Sequence, residues 1–259
     1  MHQTQSPIGI IIQARTGSTR LPEKMVRDFY KGKSILKILL ERIKKATEGR
    51  NIKIVLATTS NPNDLKIKAI ANQLGIDVFC GSENDVLQRF IDTAHHFGMK
   101  KIVRVCADNT FLDMQSLNRI IDCLEVKEDV DYVAFSTSQG LPTIKTHYGF
   151  WAEGVSVSAL EKIEKLTEEA LFREHVTNYI YTYPDKFHIY YLKISTELEK
   201  KKYLRLTIDT ETDFNNLQYI YKQLVEQELE ITIENVIKIV DEAEEIMKKM
   251  EQQIEQNTK

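Results

Sequence analysis

Cationic side chains are concentrated in one short segment near the amino terminus, IIQARTGSTRLPEKM. Arg15, Arg20 and Lys24 lie within ten residues of one another, together with Gly17 and Ser18. Arginine offers planar, bidentate donors to phosphate oxygens, lysine adds a mobile point charge, and glycine lets the backbone approach a ligand closely. The spacing matches neither a P-loop nor a dinucleotide fingerprint. The segment predicts a loop that holds a chain of phosphates, and a solvated surface loop is the alternative.

Alternating elements surround this segment and would position it. Apolar, strand-like runs are interleaved with amphipathic, helix-like runs through residue 136, which predicts an α/β domain with a largely parallel sheet. Ligands of such sheets bind at the carboxyl ends of the strands. Three polar loops that follow strands should therefore meet at one edge of the sheet. These loops are QARTGSTR, ATTS and CADN.

The second half of the chain departs from this rhythm. Residues 137–152 are rich in glycine and turn residues and are typical of a loop or lid. We expect one domain over residues 1–259, with 137–200 as a lid, acceptor or dimerisation insert and 232–259 as a helical extension. The later elements predicted are helices at 158–168, 170–181, 213–227 and 232–250, an isolated strand at 187–195, and a strand at 203–210.

Composition excludes several classes of protein. A net charge of −3 gives no electrostatic reason for binding nucleic acid or a membrane surface. No segment approaches the roughly 20 apolar residues of a membrane span. The three cysteines are widely spaced and form no C-x-x-C pair, so we expect reduced core thiols in a cytoplasmic protein.

The first loop resembles a known signature. Q-A-R-T-G-S-T-R-L-P-E-K is similar to A-R-x-G-S-x-R-L-P-x-K of the acylneuraminate and 3-deoxy-manno-octulosonate cytidylyltransferases, which activate acidic sugars. The likeness is closest to the spore coat polysaccharide biosynthesis branch. Further motifs of that branch follow in its order, from residue 9 to about 220: LATTS, GSENDVLQRF, IVRVCADNTFLD, REHVTNYI and RLTIDTETDF.

The resemblance implies both a fold and a reaction. The fold is a Rossmann-like nucleotide-diphospho-sugar transferase fold of the GT-A type, with a mostly parallel mixed sheet flanked by helices. The reaction is the Mg²⁺-dependent transfer of CMP from CTP to a sugar acid, with release of pyrophosphate. A sugar hydroxyl attacks the α-phosphate directly, so positioning and charge neutralisation carry the catalysis.

The resemblance also assigns residues to the nucleotide. Lys24 would stabilise charge at the reacting phosphate, and Arg15 and Asp108 complete the catalytic set. ATTS and GSENDVLQR match segments that face the base and ribose. The full nucleotide-binding set implied is Ala14, Arg15, Gly17, Ser18, Arg20, Lys24, Thr58, Ser82 and Arg89.

The metal ligands implied are two aspartates. Asp108 matches the metal-binding aspartate of the family's G-D-x-P motif, and Asp209 matches the acidic position of its late D-T-x-x-D element. Mg²⁺ prefers carboxylate and phosphate oxygens and takes few protein ligands. Taken alone, Asp108 is equally explained as a helix N-cap. Asp213 has two equally weighted interpretations. It supports the metal site, or it is the N-cap of a helix that begins at Phe214.

One departure from the motif concerns the turn around Asp108. Ala107 replaces the family's glycine, and Asn109 and Thr110 stand where the motif ends in x-P. The turn beyond the aspartate is therefore expected to differ in shape.

The acceptor side is less defined by sequence. Arg173, Glu174 and His175 match a motif of the branch, and Arg173 is a candidate partner for a sugar carboxylate. The alternative is an amphipathic helix with a charged face. Glu153 lies where the branch has an acidic residue before a strand.

The function expected is that of a cytidylyltransferase whose partners are CTP and a small acidic sugar of the nonulosonic type. A homodimer is expected because related enzymes are often dimers. One alternative is a sugar-nucleotide-dependent glycosyltransferase of similar fold. Another is a non-catalytic nucleotide-binding partner in a polysaccharide pathway.

Overall fold

The computed structural model describes residues 8–17 and 20–256 and is built around a seven-stranded sheet, with a separate two-stranded hairpin. The strands are β1 (Ile8–Gln13), β2 (Asp28–Tyr30), β3 (Lys33–Ser34), β4 (Ile52–Thr59), β5 (Asp77–Gly81), β6 (Lys101–Cys106), β7 (Tyr132–Ser136), β8 (Glu153–Ser156) and β9 (Ile189–Lys193). The large sheet has the order β5-β4-β1-β6-β8-β7-β9, and β8 runs antiparallel to both of its neighbours.

The helices follow the strands on both faces of the sheet. They are α1 (Ile35–Ala46), α2 (Leu65–Gln73), α3 (Val86–His96), α4 (Met114–Val126), α5 (Val157–Leu166), α6 (Ala170–Glu174), α7 (Asn178–Thr182), α8 (Thr196–Glu199), α9 (Glu211–Glu226), α10 (Ile233–Asp241) and α11 (Glu244–Gln256). The mostly parallel mixed sheet and its Rossmann-like arrangement confirm the predicted fold class.

The centre of the sheet is formed by β1, which pairs in parallel with both β4 and β6. Ile10 and Ile12 pack into the hydrophobic cluster on one face, and Ile11 packs into the cluster on the other. A strand that is covered on both faces needs apolar side chains at successive positions. The continuous IGIII run of the sequence is explained by this location.

Amphipathic helices supply the two outer layers. Ile35, Leu39 and Ile43 of α1 are fully buried in the first cluster, and Phe90 and Ala94 of α3 are fully buried in the second. Each set repeats at helical spacing, so one stripe of each helix faces the sheet. These stripes were predicted from the sequence.

Several predicted elements are wrong in detail. Residues 203–210 form no strand, because the segment joins the loop before β8 through a hydrogen bond from Leu206 N–H to the His147 carbonyl at 2.8 Å. Residues 170–181 form two short helices, and 232–250 is divided between α10 and α11. The strand β9 is not isolated, because it pairs in parallel with β7.

The segment 137–200 is partly integrated into the sheet. It contributes β8, which lies between β6 and β7, and the edge strand β9. Its proposed roles in acceptor binding or dimerisation stay predictions. The carboxyl-terminal helices α10 and α11 pack against α9.

Two expectations concern the whole chain. Among the described residues, no helix combines the length and the apolar character that crossing a membrane requires. Cys80, Cys106 and Cys123 form no disulfide; Cys80 is exposed and the other two are partly buried. The expectation of a core thiol is therefore wrong for Cys80, whereas Cys106 and Cys123 are buried in part and Cys123 packs against the first hydrophobic cluster.

Candidate active site

The carboxyl ends of β1 and β6 open into a cleft with two lobes. The smaller lobe has a volume of about 310 Å³ and the larger lobe about 510 Å³. Arg20, Cys106, Asp108 and Asp209 line both lobes, so the lobes meet at these side chains. Both predicted metal ligands lie at this junction, at the edge of the sheet where the strand order places a ligand site.

The described part of the first loop, residues 14–17 and 20–24, forms one wall of the smaller lobe. Every described member of the predicted nucleotide-binding set within this loop lines that lobe, whereas Ser18 lies outside the described residues. The members that line it are Ala14, Arg15, Gly17, Arg20 and Lys24. Ala14 continues the sheet beyond β1, because its N–H donates to the Ala57 carbonyl at 3.3 Å.

Lys24 is held at the base of this lobe. Its Nζ donates to the Ile208 carbonyl and lies 3.3 Å from Asp108 Oδ2. The Lys24 side chain is 13% exposed and that of Asp108 is 32% exposed. The lysine is therefore partly withdrawn from solvent, and an ammonium in such a site acts more strongly on a bound anion than one in bulk water.

Asp209 lies between two arginines. Arg20 Nη2 donates to Asp209 Oδ1 at 2.8 Å, and Arg205 Nη2 donates to Asp209 Oδ2 at 3.1 Å. Arg205 is fully buried and also forms two hydrogen bonds to Asp213, at 2.7 and 3.0 Å. Asp209 is thus fixed from behind by a buried guanidinium and stays open toward the cleft.

Asp213 supports this arrangement from the first turn of α9. The N-cap of α9 is Thr210, and Asp213 completes a capping box with it. The predicted cap at Asp213 for a helix from Phe214 is therefore wrong, because the helix begins at Glu211. Burial raises the pKa of Asp213, but hydrogen bonds from Arg205 and from backbone N–H groups outweigh this and hold the pKa below its ordinary value.

The turn after Asp108 is clamped by side chains. Asn109 is buried and donates from Nδ2 to the Trp151 carbonyl at 3.0 Å. Arg42 donates to the carbonyls of Thr110 and Leu112, at 3.1 and 2.9 Å. Burial lowers the pKa of Arg42 to about 10. These contacts hold the turn that differs from the family motif.

The alternative in which Asp108 caps a helix is wrong. The N-cap of α4 is Asp113, whose Oδ2 accepts from Ser116 N–H at 2.8 Å. Asp108 is left at the lobe junction with its carboxylate toward Lys24.

The donor set at the junction fits one hard divalent cation. Asp108 and Asp209 offer carboxylate oxygens, and among the described residues there is no group of three or more histidine, cysteine, aspartate or glutamate side chains that could enclose a metal. Mg²⁺ is bound in this manner when one or two carboxylates are completed by phosphate oxygens and water.

The residues predicted to face the base and ribose do not line either lobe. Thr58 is fully buried, and its hydroxyl donates to Asp64 at 2.8 Å, so it does not face the cleft. Arg89 is also fully buried and donates from Nη1 to the Ser82 carbonyl at 2.5 Å. Burial and the nearby Arg15 lower the pKa of Arg89 to about 10. Of this group, the structure leaves Ser82 exposed.

The predicted acceptor motif is divided by the structure. His175 lines the larger lobe, whereas Glu174 lines the smaller lobe, 3.7 Å from Arg15. Arg173 lines neither, because its guanidinium pairs with Asp85 at 2.6 Å. The expected role of Arg173 as the partner of a sugar carboxylate is therefore not supported.

Glu153 is the predicted substrate-binding residue whose position in the structure differs most from the prediction. It is buried beneath the larger lobe, where it pairs with Arg104 at 2.5 Å and accepts hydrogen bonds from Tyr132 and Thr177. The prediction that Glu153 binds substrate directly is wrong, because its carboxylate is withdrawn from the cleft. Burial lowers the pKa of Arg104, but the nearby charges of Cys106 and Glu153 outweigh this and raise it.

Some residues of the site were missed by sequence reasoning. Arg104, Lys145 and Tyr181 line the larger lobe, and Asp64 binds the first loop from below. The sequence does contain a signal for Arg104, because a charged residue that interrupts an otherwise apolar, buried strand indicates a paired or functional side chain. Asp64 ends an N-P-N-D segment, which is typical of a helix start and does not reveal the contact of Asp64 with the first loop.

The fold and this cleft define a nucleotidyltransferase-like α/β protein. The model of the cytidylyltransferase family matches residues 9–253. The chain belongs to the cytidylyltransferase family.

Two curated relatives are similar to this chain over most of its length. The chain is 36% identical to the uncharacterized protein MJ1063 of Methanocaldococcus jannaschii, over 91% of each chain. It is 30% identical to the spore coat polysaccharide biosynthesis protein SpsF of Bacillus subtilis, covering 84% of this chain and 87% of that one.

Solved structures are similar as well. A cytidylyltransferase from Leptospira borgpetersenii matches with a TM-score of 0.80 at 28% identity, covering 93% of this chain and 97% of that chain. A CMP:2-keto-3-deoxy-manno-octonic acid synthetase complexed with CTP has a TM-score of 0.62 at 13% identity, covering 84% and 99%, and shares the fold.

Proposed function

We propose that this protein transfers CMP from CTP to an acidic sugar of the nonulosonic type, releases pyrophosphate, and serves surface polysaccharide or glycan biosynthesis. The observation that carries the proposal is the junction of the two lobes. A lobe lined by Arg15, Arg20 and Lys24 meets a second, larger lobe at Asp108 and Asp209. The cations can bind the oxygens of a triphosphate. The carboxylates at the junction can bind a metal ion beside the phosphate at which transfer occurs.

The residues of the smaller lobe would hold the nucleotide. Arg15 and Arg20 bind phosphate oxygens, and Lys24 neutralises the charge that develops at the reacting phosphate. In this structure Arg20 and Lys24 pair with Asp209 and Asp108. These cations would turn to phosphate oxygens as the aspartates bind Mg²⁺.

The metal ion would have a limited chemical role. Bound by Asp108 and Asp209, Mg²⁺ supplies positive charge to the phosphate oxygens. The chain itself orients the reacting groups, because Asp209 is fixed by Arg205 and the turn after Asp108 is clamped by Asn109.

The larger lobe would take the sugar. Thr143, Thr146 and Asn178 line it with hydroxyl and amide groups that can bind sugar hydroxyls, and Lys145 lines it with a positive charge. Its volume of about 510 Å³ lies in the range of small-molecule sites. The SpsF relative supports a role in polysaccharide biosynthesis.

The experiment that tests this proposal measures pyrophosphate release. The protein is incubated with Mg²⁺, each of the four nucleoside triphosphates and a panel of sugar acids and neutral sugars. We expect release that requires both CTP and a sugar acid. Release from no triphosphate with any sugar, although a triphosphate binds, would refute the proposal in favour of a non-catalytic partner.

A further inference from the structure

Asp64 is a buried carboxylate that the proposed reaction does not use. It is 1% exposed, and its Oδ1 accepts from the backbone N–H and the hydroxyl of Thr16, at 2.8 and 2.6 Å. Its Oδ2 accepts from the hydroxyl of Thr58 at 2.8 Å, and from the N–H and hydroxyl of Thr59 at 3.2 and 2.6 Å. One side chain thus joins the first loop to the end of β4.

The ionised form is what this network requires. An ionised carboxylate accepts at both oxygens and donates nothing. Burial raises the pKa of Asp64, but hydrogen bonds from Thr16, Thr59 and Thr58 outweigh this, and the pKa lies below its ordinary value. An asparagine in either amide orientation would point its NH₂ group at a backbone N–H, of Thr16 or of Thr59, and neither N–H can reverse its direction.

The position of Thr16 gives this network a functional meaning. Thr16 is 7% exposed, and it stands between Arg15 and Gly17, which both line the smaller lobe. The carboxylate therefore does not touch a ligand, but it fixes the backbone from which these two residues reach the lobe. Misplacement of binding groups by about 1 Å can cost about 10²-fold in rate.

We propose that Asp64 is a positioning residue, which fixes the first loop for nucleoside triphosphate binding through its two hydrogen bonds to Thr16. This inference rests on the proposed function in that the loop is taken to hold a triphosphate. If Asp64 had a purely structural role, loss of a hydrogen bond from Thr16 and loss of one from the end of β4 would have equal effects on nucleotide binding.

Two matched variants separate these roles. Thr16→Val and Thr59→Val each remove one hydroxyl that lies 2.6 Å from the same carboxylate, one on the loop and one at the strand end. We expect Thr16→Val to raise the Kd for CTP, measured by calorimetry, about tenfold or more. Thr59→Val should change the Kd by less than about threefold, although its loss of Tm should be at least as large because the Thr59 hydroxyl also accepts from Asn61 N–H at 3.0 Å. Equal effects of the two variants on the Kd would overturn the proposal.

A second readout does not depend on nucleotide binding. Hydrogen exchange of the peptide that covers residues 8–25, without ligand, should be faster in Thr16→Val and in Asp64→Asn than in the wild type. In Thr59→Val it should be unchanged. If the wild type binds no triphosphate, the proposed function fails while hydrogen exchange still decides the role of Asp64. Unchanged exchange in Thr16→Val would refute that role.

Discussion

Replacement of Lys24 by methionine removes one charge at the place where phosphate charge is proposed to develop. Methionine keeps an unbranched side chain as far as Cε and removes the ammonium. In the structure this ammonium contacts the Ile208 carbonyl and lies 3.3 Å from Asp108, with only 13% of the side chain exposed. Removal of one preorganised donor in such a site costs about 10²–10³ in kcat, or about 2.7–4 kcal/mol.

The fold should survive this change. The carboxylate of Asp108 remains 32% exposed and can be solvated without its partner. The Ile208 carbonyl loses one donor, which costs about 1–3 kcal/mol. We therefore expect Lys24→Met to lower kcat for pyrophosphate release by at least about 10²-fold, with a cooperative unfolding transition retained.

The assay is steady-state pyrophosphate release with saturating sugar acid and varied CTP. Lys33→Met is the matched control, because Lys33 pairs with Glu41 at 2.7 Å on the surface, outside both lobes. Its kcat should equal that of the wild type. A Lys24→Met enzyme with unchanged kcat and a raised KM for CTP would refute the reasoning, because it would mean uniform binding of substrate and transition state.

Three further predictions concern the supports of the site. Asn109→Ala, which loses the bond to the Trp151 carbonyl, should weaken Mn²⁺ binding by about tenfold in a spectroscopic titration; unchanged affinity would contradict the clamp. Arg104→Met leaves Glu153 buried and unpaired, so urea unfolding should show a loss of about 3–5 kcal/mol, and a loss below about 1 kcal/mol would count against the buried pair. The lowered pKa of Asp213 stabilises the fold above its unfolded pKa of about 3.9, and this stabilisation is lost as pH falls through the lower folded pKa. The stability of Asp213→Asn, from urea unfolding at several pH values, should therefore fall less in acid than that of the wild type, and an equal fall would contradict this assignment.

The sheet and the place of the site could be predicted because they depend on local patterns. The IGIII run identifies β1 as a strand covered on both faces, and the helical stripe of α1 follows from residues three and four apart. Polar loops after parallel strands then locate the cleft. The first loop and Asp108 lie at this edge because the alternation of strands and helices requires it.

Asp209 lies at the same edge of the sheet, but the path of the chain that brings it there was not predicted from the sequence. The alternating pattern of YLRLTIDT is typical of a strand, but these residues form no strand in the structure. The segment instead crosses near the loop before β8, where Gly149 has a φ of +66° and a Cβ would lie 2.7 Å from the Leu206 carbonyl. A close approach of this kind depends on tertiary contacts that local spacing does not contain.

The buried polar side chains were the hardest to assign. Thr58, Glu153 and Asp64 belong to residue types that are found in active sites, and their spacing is compatible with that role. Each is instead paired inside the fold, with partners 5 to 49 residues away in the chain. Only the three-dimensional structure shows whether such a group faces a ligand or holds the residues that do.

The central claim is that CMP, and no other part of CTP, moves to a sugar acid, and ³¹P NMR of the reaction mixture tests it most directly. With CTP, Mg²⁺ and an accepted sugar acid, the account predicts that the three signals of CTP are replaced by pyrophosphate and by one phosphodiester signal of a CMP-sugar. A spectrum that gains CDP and a sugar phosphate, or inorganic phosphate alone, would contradict it, because the bond broken would then be at the γ-phosphate and not at the α-phosphate.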